Sequence, residues 1–194
     1  MSTSSDGRVI VISGPAGVGK TTVVKQLFAR CPRLRHSVSA TTRPPRPDEL
    51  DGRDYYFLTP EEFARRREAG EFLECCEVFG LGYWYGTLWK EVTSGLAAGK
   101  WVVLEIDVQG ALAVLARFPD AVTIFIRPDS TEELERRLRG RGTESEEEVR
   151  RRLEVARREL ASADRYQYQI VNRSVDQAVA DIMAILNTLD DRQQ

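Results

Sequence analysis

The sequence predicts an α/β fold in which a parallel β-sheet core is flanked by helices. Segments rich in β-branched residues alternate with segments that carry apolar residues at helical spacing, and this alternation is typical of a parallel sheet. The first strand segment, Arg8–Ser13, is a continuous run of the kind that is covered on both faces. The chain has 194 residues, the size of one domain, and 42% of them are hydrophobic, which is enough for a packed core.

The elements follow in order along the chain. Thr21–Arg30 has helical spacing and ends before Pro32, a residue that stops helices. Further strands are predicted at Trp101–Ile106, Ala121–Ile126 and Tyr168–Val171. A helix is predicted from Gly110 to Arg117, and three more begin at capping boxes, which are Ser130 with Glu133, Thr143 with Glu146, and Ser174 with Gln177.

Residues 37–90 differ in composition from the rest of the chain, since prolines and aromatic residues are concentrated there. This composition predicts short strands, turns and one helix near Pro60–Ala69. We interpret the segment as an insert on the core rather than as a separately folding domain.

Composition excludes several classes of function. Lys and Arg number 28 against 30 Asp and Glu, so the net charge of -2 does not favour nucleic-acid binding, and phosphate recognition must come from placed residues. No apolar run is long enough for a membrane span, and the N-terminus lacks the pattern of a secretory signal. Cys31, Cys75 and Cys76 form no disulfide framework, and with His36 as the single histidine they form no zinc pattern. These features predict a cytoplasmic protein with reduced thiols.

A phosphate-binding loop is the most specific local motif. The pattern G-x-x-x-x-G-K-[ST] is matched in full by Gly14, Pro15, Ala16, Gly17, Val18, Gly19, Lys20 and Thr21. Glycines let successive N–H groups point at phosphate oxygens, and the following helix adds its positive end. Lys20 supplies a charge for the β- and γ-phosphates, and the Thr21 hydroxyl is a ligand for Mg²⁺. The motif predicts nucleoside triphosphate binding but leaves the reaction open.

Several further stretches, read with this loop, resemble guanylate kinases. They are residues Val11–Thr22, Ser37–Arg46, Asp51–Phe57, Gly70–Glu74, Tyr85–Thr87, Leu104–Gly110, Arg137–Thr143 and Ile170–Asn172. The resemblance implies transfer of the γ-phosphoryl group of ATP to GMP with Mg²⁺, giving ADP and GDP, as a step in GMP recycling and guanine nucleotide supply. It implies GMP, dGMP and ATP as substrates and leaves the oligomeric state open between monomer and dimer.

The resemblance also implies three parts that close around two nucleotides. The core is expected over residues 7–36, 91–130 and 160–190, the GMP-binding insert over 37–90, and a helical lid over about 131–159. The Thr143 capping box and the glycines on either side of Arg141 lie within this lid.

Carried over position by position, the resemblance assigns the site residues. The expected grip on the GMP phosphate consists of Ser39, Arg43, Arg46, Tyr55 and Tyr85. The expected guanine readers are Glu74 and Thr87, and the acidic residues near the base and the metal are Glu105 and Asp107, the latter bound to Mg²⁺ through water. The ATP side adds Thr22, Arg137 and Asn172 to the loop. The residues expected to act in catalysis are Lys20, Arg43, Arg141 and Arg152.

The chemistry agrees with this assignment. A nucleoside monophosphate is mostly dianionic at pH 7, because its second pKa is about 6, so it needs no general base and the lack of a usable histidine is no obstacle. Arginine offers a planar fork for phosphate. A carboxylate at Glu74 can accept from guanine N1–H and the 2-amino group, and a hydroxyl at Thr87 can serve O6, whereas adenine presents the wrong edge.

Two stretches depart from the family pattern. Cys75-Cys76 stands where a tryptophan and a small residue are common, and Gly80–Gly86 is longer than usual, so Tyr83 is an alternative to Tyr85. Two other functions compete with the main interpretation. One is a kinase of another nucleoside monophosphate, which Glu74 and Thr87 disfavour; the other is a guanylate-kinase-like interaction module, which the complete phosphate loop disfavours.

Overall fold

A computed structural model describes residues 7–77, 82–139 and 146–191. The chain divides into two compact units, one built from residues 1–11 and 33–122 and the other from residues 12–32 and 123–194. The division into core, insert and lid stays a prediction.

The described residues form both strands and helices. The strands are β1 Arg8–Ser13, β2 Leu34–His36, β3 Ser39–Thr41, β4 Tyr56–Phe57, β5 Phe72–Glu77, β6 Trp84–Leu88, β7 Trp101–Glu105, β8 Val122–Arg127 and β9 Tyr168–Val171. The helices are α1 Lys20–Arg30, α2 Pro60–Glu68, α3 Trp89–Ala97, α4 Val108–Arg117, α5 Thr131–Arg139, α6 Glu146–Leu160 and α7 Val175–Asp191, with a short 3₁₀ helix at Ala163–Arg165.

The five-stranded sheet has the strand order β2-β7-β1-β8-β9. Strand β2 pairs with β7 in parallel, and β8 pairs with β9 in parallel. The predicted α/β fold with a parallel sheet is therefore confirmed. Strand β2 was not predicted, because three residues are too few to show a period.

Strands from the segment predicted to be an insert form a second sheet with the order β4-β3-β6-β5, in which β6 pairs antiparallel with both β3 and β5. The predicted helix near residue 60 is confirmed as α2, and the Thr59 hydroxyl caps it by accepting from the Glu62 N–H at 3.2 Å. Phe63 of α2 stacks on Phe72 of β5 with ring centroids 4.4 Å apart. This buried cluster fixes one face of β5.

Strand β5 contains a register shift that decides which side chains share a face. Phe72 lies opposite Leu88, yet Glu74 lies opposite Thr87, so the shift occurs at Leu73. Phe72 and Cys75 consequently pack in the same apolar cluster as Phe63 of α2, although an odd number of positions, three, separates them along the strand. The shift turns Glu74 away from the apolar cluster.

Helix caps explain which helices the sequence predicts. The Ser130 and Ser174 hydroxyls accept from the Glu133 and Gln177 N–H groups at 3.2 and 3.3 Å, so the serine N-cap of both predicted boxes is confirmed. The Thr143 box lies outside the described residues. Helix α3 was not predicted, and its N-cap residue, Leu88, has no side chain that could cap it. No helix in the described ranges is both long and apolar enough to cross a bilayer.

Candidate active site

The phosphate loop connects β1 to α1, as the motif predicts. Gly14 has a φ of 146°, and a Cβ there would lie 2.1 Å from the Ile126 carbonyl oxygen, so only glycine fits. Gly19 precedes α1 in the left-handed conformation and supplies no side-chain acceptor, and the first turn of α1 has no acidic residue. The positive end of this helix therefore suits an anion.

Lys20 lies over the loop that precedes it. Its Nζ donates to the Gly14 carbonyl oxygen at 2.6 Å and to the Pro15 carbonyl oxygen at 3.1 Å. Thr21 and Thr22 are exposed on the same turn of α1. The ammonium group thus lies beside the loop carbonyls from which it would reach a bound phosphate.

Asn172 and Arg137 both bond to the backbone of the phosphate loop. The buried Asn172 side chain donates from Nδ2 to the Val18 carbonyl oxygen at 2.7 Å, and Arg137 donates to the same oxygen at 3.2 Å. Arg137 also donates to the Asn172 carbonyl oxygen at 3.3 Å and to Glu133 at 2.7 Å. The resemblance assigns both residues to ATP; in the structure both donate to the Val18 carbonyl oxygen of the loop, and Arg137 is also paired with the Glu133 carboxylate.

Two of the predicted site arginines in the lid lie on described helices, Arg137 on α5 and Arg152 on α6. Arg152 is half-buried on α6, whereas Arg141 lies outside the described residues. Arg136 pairs with Glu133, and Arg139 pairs with Glu135 and Glu146, all on exposed surface. Such surface pairs explain much of the local charge without any catalytic role.

In the other unit, Arg43 is held by several acceptors. Its NH2 donates to both oxygens of Glu49 at 2.8 Å, and its Nε donates to the Tyr85 hydroxyl at 3.2 Å. The guanidinium also lies 5.5 Å from the centre of the Tyr55 ring. Arg46, whose N–H donates to Glu49 at 2.8 Å, keeps a side chain that is 65% exposed. One carboxylate therefore organises both predicted phosphate-binding arginines.

Glu49 holds two predicted site residues, although no sequence pattern singled it out. Burial alone would raise the pKa of Glu49, but the Arg46 N–H and the Arg43 guanidinium outweigh burial and lower it. The available signal was its position three residues after Arg46 in a proline-rich turn, where an acidic side chain can accept from a backbone N–H.

Aromatic side chains complete this part of the site. The rings of Tyr55 and Tyr85 meet edge to face at 5.9 Å, so Tyr85 is the tyrosine placed beside Arg43. Burial, followed by the charge of Glu105, raises the pKa of the Tyr55 hydroxyl. Tyr55 is therefore a neutral hydrogen-bonding group at pH 7. Ser39 is buried on β3 opposite Thr87.

Glu74 and Thr87, the predicted guanine readers, are in contact. The Thr87 hydroxyl donates to Glu74 Oε1 at 2.6 Å, and both side chains are buried. Burial raises the pKa of Glu74 to about 7, with the charge of Asp107 adding to the rise and hydrogen bonds from Thr87 opposing it. A hydroxyl has one proton, so while this bond holds, Thr87 orients Glu74 and donates to no base.

Asp107 caps a helix beside this pair. Its Oδ1 accepts from the Gly110 N–H at 2.8 Å at the start of α4, and the Cys76 thiol lies 3.5 Å from Oδ2. Burial, with the charges of Asp107 and Glu74, raises the pKa of Cys76, so this thiol is an unreactive neutral donor at pH 7. The carboxylates of Glu74 and Asp107 thus lie close together beside Gly110.

Within the described residues, Mg²⁺ fits as an ion shared between a protein hydroxyl and substrate phosphates. The described residues contain no group of three or more His, Cys, Asp or Glu side chains that could hold a metal. Mg²⁺ commonly takes one or two protein ligands beside substrate phosphates and waters, and the exposed Thr21 hydroxyl can be such a ligand. The arrangement therefore suits a metal that arrives with a nucleotide.

The pKa of Glu74 leads to a prediction about stability. A carboxyl group whose pKa is higher in the folded protein than in the unfolded chain binds more protons when folded, so its contribution is complete below about pH 4.5 and is lost as the pH rises through about 7. We expect the free energy of unfolding of the wild type, relative to Glu74→Gln, to fall by on the order of 3 kcal/mol between pH 5 and 8. Urea denaturation of both proteins at each pH measures this difference.

The matched control is Glu71→Gln, which alters an exposed carboxylate just before β5. The stability difference between the wild type and this control should stay nearly constant over the same range. A constant difference for Glu74→Gln as well would show that Glu74 titrates like an ordinary surface carboxylate.

Comparisons with known proteins agree with the geometry. The sequence profile described as guanylate kinase matches residues 6–189. A guanylate kinase of Rhodopirellula baltica is 58% identical over 193 residues, covering 98% of this chain and 91% of that protein, and one of Bifidobacterium longum is 52% identical, covering 93% of each. The crystal structure of guanylate kinase from Anaplasma phagocytophilum matches with a TM-score of 0.77 and 34% identity, covering 94% of this chain and 85% of the other. The chain belongs to the guanylate kinase family.

Proposed function

We propose that this protein transfers the γ-phosphoryl group of ATP to a phosphate oxygen of GMP, giving ADP and GDP. The observation that carries the choice of acceptor is the buried contact between Glu74 and Thr87, since it fixes a carboxylate where a base can be read. The homologues, which are guanylate kinases, support the same reaction.

On the donor side, the loop from Gly14 to Thr21 is assigned to the phosphates of ATP. Its N–H groups and the positive end of α1 favour the anion, and Lys20 adds a charge that moves from the loop carbonyls to the phosphates. Mg²⁺ would be held by the Thr21 hydroxyl and the phosphates, where it neutralises charge on the β- and γ-oxygens. Lid arginines at 141 and 152 are assigned to the transferred group.

On the acceptor side, Arg43, Arg46, Tyr55 and Tyr85 are assigned to the GMP phosphate. Glu49 supports this assignment, because it holds Arg43 in place before any ligand arrives and so lowers the entropic cost of binding. The dianionic phosphate is itself the nucleophile. One of its oxygens forms a bond to the γ-phosphorus while the bond to the β–γ bridging oxygen breaks, and ADP leaves.

The base selects the acceptor. Ionised Glu74 accepts from guanine N1–H and the 2-amino group, while Thr87 orients the carboxylate. Adenine has no N1–H, so AMP would leave buried acceptors unpaired. We place the reaction in the cytoplasm, which agrees with the free thiols of the three cysteines.

Measurement of ADP release with GMP, dGMP, AMP and UMP as acceptors tests the proposal. We expect efficient turnover with GMP, turnover with dGMP, and little with AMP or UMP. Comparable turnover with AMP or UMP would indicate another monophosphate kinase, and no release with any acceptor would indicate an interaction module.

A further prediction concerns Asn172. Its Nδ2 is occupied by the Val18 carbonyl oxygen and its side chain is buried, so we expect it to act on ATP through the loop. Asn172→Ala should raise the KM for ATP and for GTP as donors by the same factor, about tenfold, because a buried hydrogen bond of about 1.4 kcal/mol is lost in both cases. The KM for GMP should stay nearly constant.

GTP separates this role from direct reading of adenine. If Asn172 contacts the base, the variant will lose affinity for ATP but not for GTP. Asp176→Ala, at an exposed carboxylate on α7, is the control and should change neither constant.

A further inference from the structure

The Glu74 carboxylate lies against Gly110, a residue without a side chain in the first turn of α4. A Cβ built on Gly110 would lie 2.9 Å from Glu74 Oε2, 3.2 Å from its Cδ and 3.3 Å from Asp107 Oδ1. Real Cβ atoms essentially never approach a heavy atom more closely than 3.0 Å. Any residue other than glycine would therefore displace the carboxylate.

Neither the helix nor its cap requires this glycine. Gly110 lies inside α4, Val108–Arg117, and is not among the glycines with positive φ. Glycine in a helix interior is less favourable than alanine. The cap bond from the Gly110 N–H to Asp107 uses only the backbone. The requirement for glycine therefore comes from Glu74.

The Glu74 carboxylate cannot easily move away from position 110. Its Oε1 is held by the Thr87 hydroxyl at 2.6 Å, and its strand is fixed opposite Thr87 on β6. The residue is 8% exposed, and Asp107 repels it from the side of the helix cap. A methyl group at position 110 would have to break the Thr87 bond or push the carboxylate into the space in which a base is read.

We propose that Gly110 is a specificity-determining position. Because Gly110 has no side chain, the Glu74 carboxylate can occupy its place beside the first turn of α4. This inference rests on the proposed function, in which Glu74 reads guanine N1–H and the 2-amino group. Gly110 touches no reacting atom, so its effect reaches the acceptor only through Glu74.

Gly110→Ala tests the proposal in two independent ways. In kinetics, the KM for GMP should rise about tenfold or more, the size expected when one charge-assisted hydrogen bond is lost, and the KM for ATP should stay within twofold. In thermal denaturation, Gly110→Ala should raise the Tm more in a Glu74→Ala background than in the wild type, because without the carboxylate only the gain in helix propensity remains.

Ala113→Gly is the matched control, since it makes the reverse exchange at an exposed position of the same helix. It should lower the Tm and leave the KM for GMP unchanged. If Gly110→Ala folds poorly, the stability comparison still tests the proposal. A loss of stability that disappears when Glu74→Ala is added supports the contact between position 110 and the Glu74 carboxylate.

Two results would overturn the proposal. One is a KM for GMP within twofold of the wild type, or an equal rise for ATP; the other is the same Tm change in both backgrounds. Failure of the proposed function looks different, because the wild type itself would then release no ADP with GMP.

Discussion

Lys20→Ala should lower kcat by a factor of about 10² or more, while the KM for GMP changes little. In the structure Lys20 is the first residue of α1, and its ammonium group donates to the carbonyl oxygens of Gly14 and Pro15 at 2.6 and 3.1 Å. Phosphoryl transfer spreads negative charge over the β–γ bridge and the equatorial oxygens, and the protein stabilises that charge mainly with fixed positive groups. Alanine at position 20 removes this positive charge and offers no other group to the phosphates.

Lys25→Ala is the appropriate control, because it removes the same charge from an exposed position of the same helix. Steady-state kinetics with saturating ATP and varied GMP should show wild-type turnover for this control. Turnover near the wild-type value in Lys20→Ala would mean that the loop is structural in this chain and that the donor nucleotide is held elsewhere.

The phosphate loop illustrates what a sequence can predict. Its function depends on consecutive backbone groups, so the residues that form it are neighbours in the chain and their order is the motif. The same holds for the capping boxes at Ser130 and Ser174, whose partners lie three residues on. Local geometry of this kind needs no knowledge of the tertiary structure.

The acceptor site is different, because its contacts join distant parts of the chain. The resemblance named Glu74 and Thr87 separately, but their contact depends on the register shift at Leu73, which no local pattern reveals. Glu49 was missed because a surface carboxylate is the ordinary interpretation of a glutamate in a polar turn. Asp107 could have been interpreted as a helix cap, since aspartate directly before an apolar helix is a known start signal.

Glu74→Gln should lower kcat/KM for GMP by a factor that corresponds to about 3–5 kcal/mol of lost transition-state stabilisation. The amide keeps the shape of the side chain and can still accept from the Thr87 hydroxyl through its oxygen, which lies at 2.6 Å in the wild type. Its NH₂ group must then face the guanine donors, so a charge-assisted bond is replaced by a clash of two donors. The KM for ATP should stay nearly constant, because ATP is assigned to the phosphate loop.

The ionisation of Glu74 gives the same variant a second signature. Burial raises the pKa of this carboxyl to about 7, and only the ionised form accepts from both N1–H and the 2-amino group. In the wild type, kcat/KM for GMP should therefore rise as the pH increases through about 7 and level off above it. Glu74→Gln has no such group, so that rise should be absent from its pH profile.

Discrimination between GMP and AMP is the decisive measurement. The wild-type preference rests on donors that adenine lacks, so the ratio of kcat/KM for the two acceptors should shrink in Glu74→Gln and stay unchanged in the control Glu71→Gln. An unchanged ratio in Glu74→Gln would show that another carboxylate reads the base. Glu105, whose charge reaches Tyr55, and Glu77, at the exposed end of β5, would then be the next residues to replace.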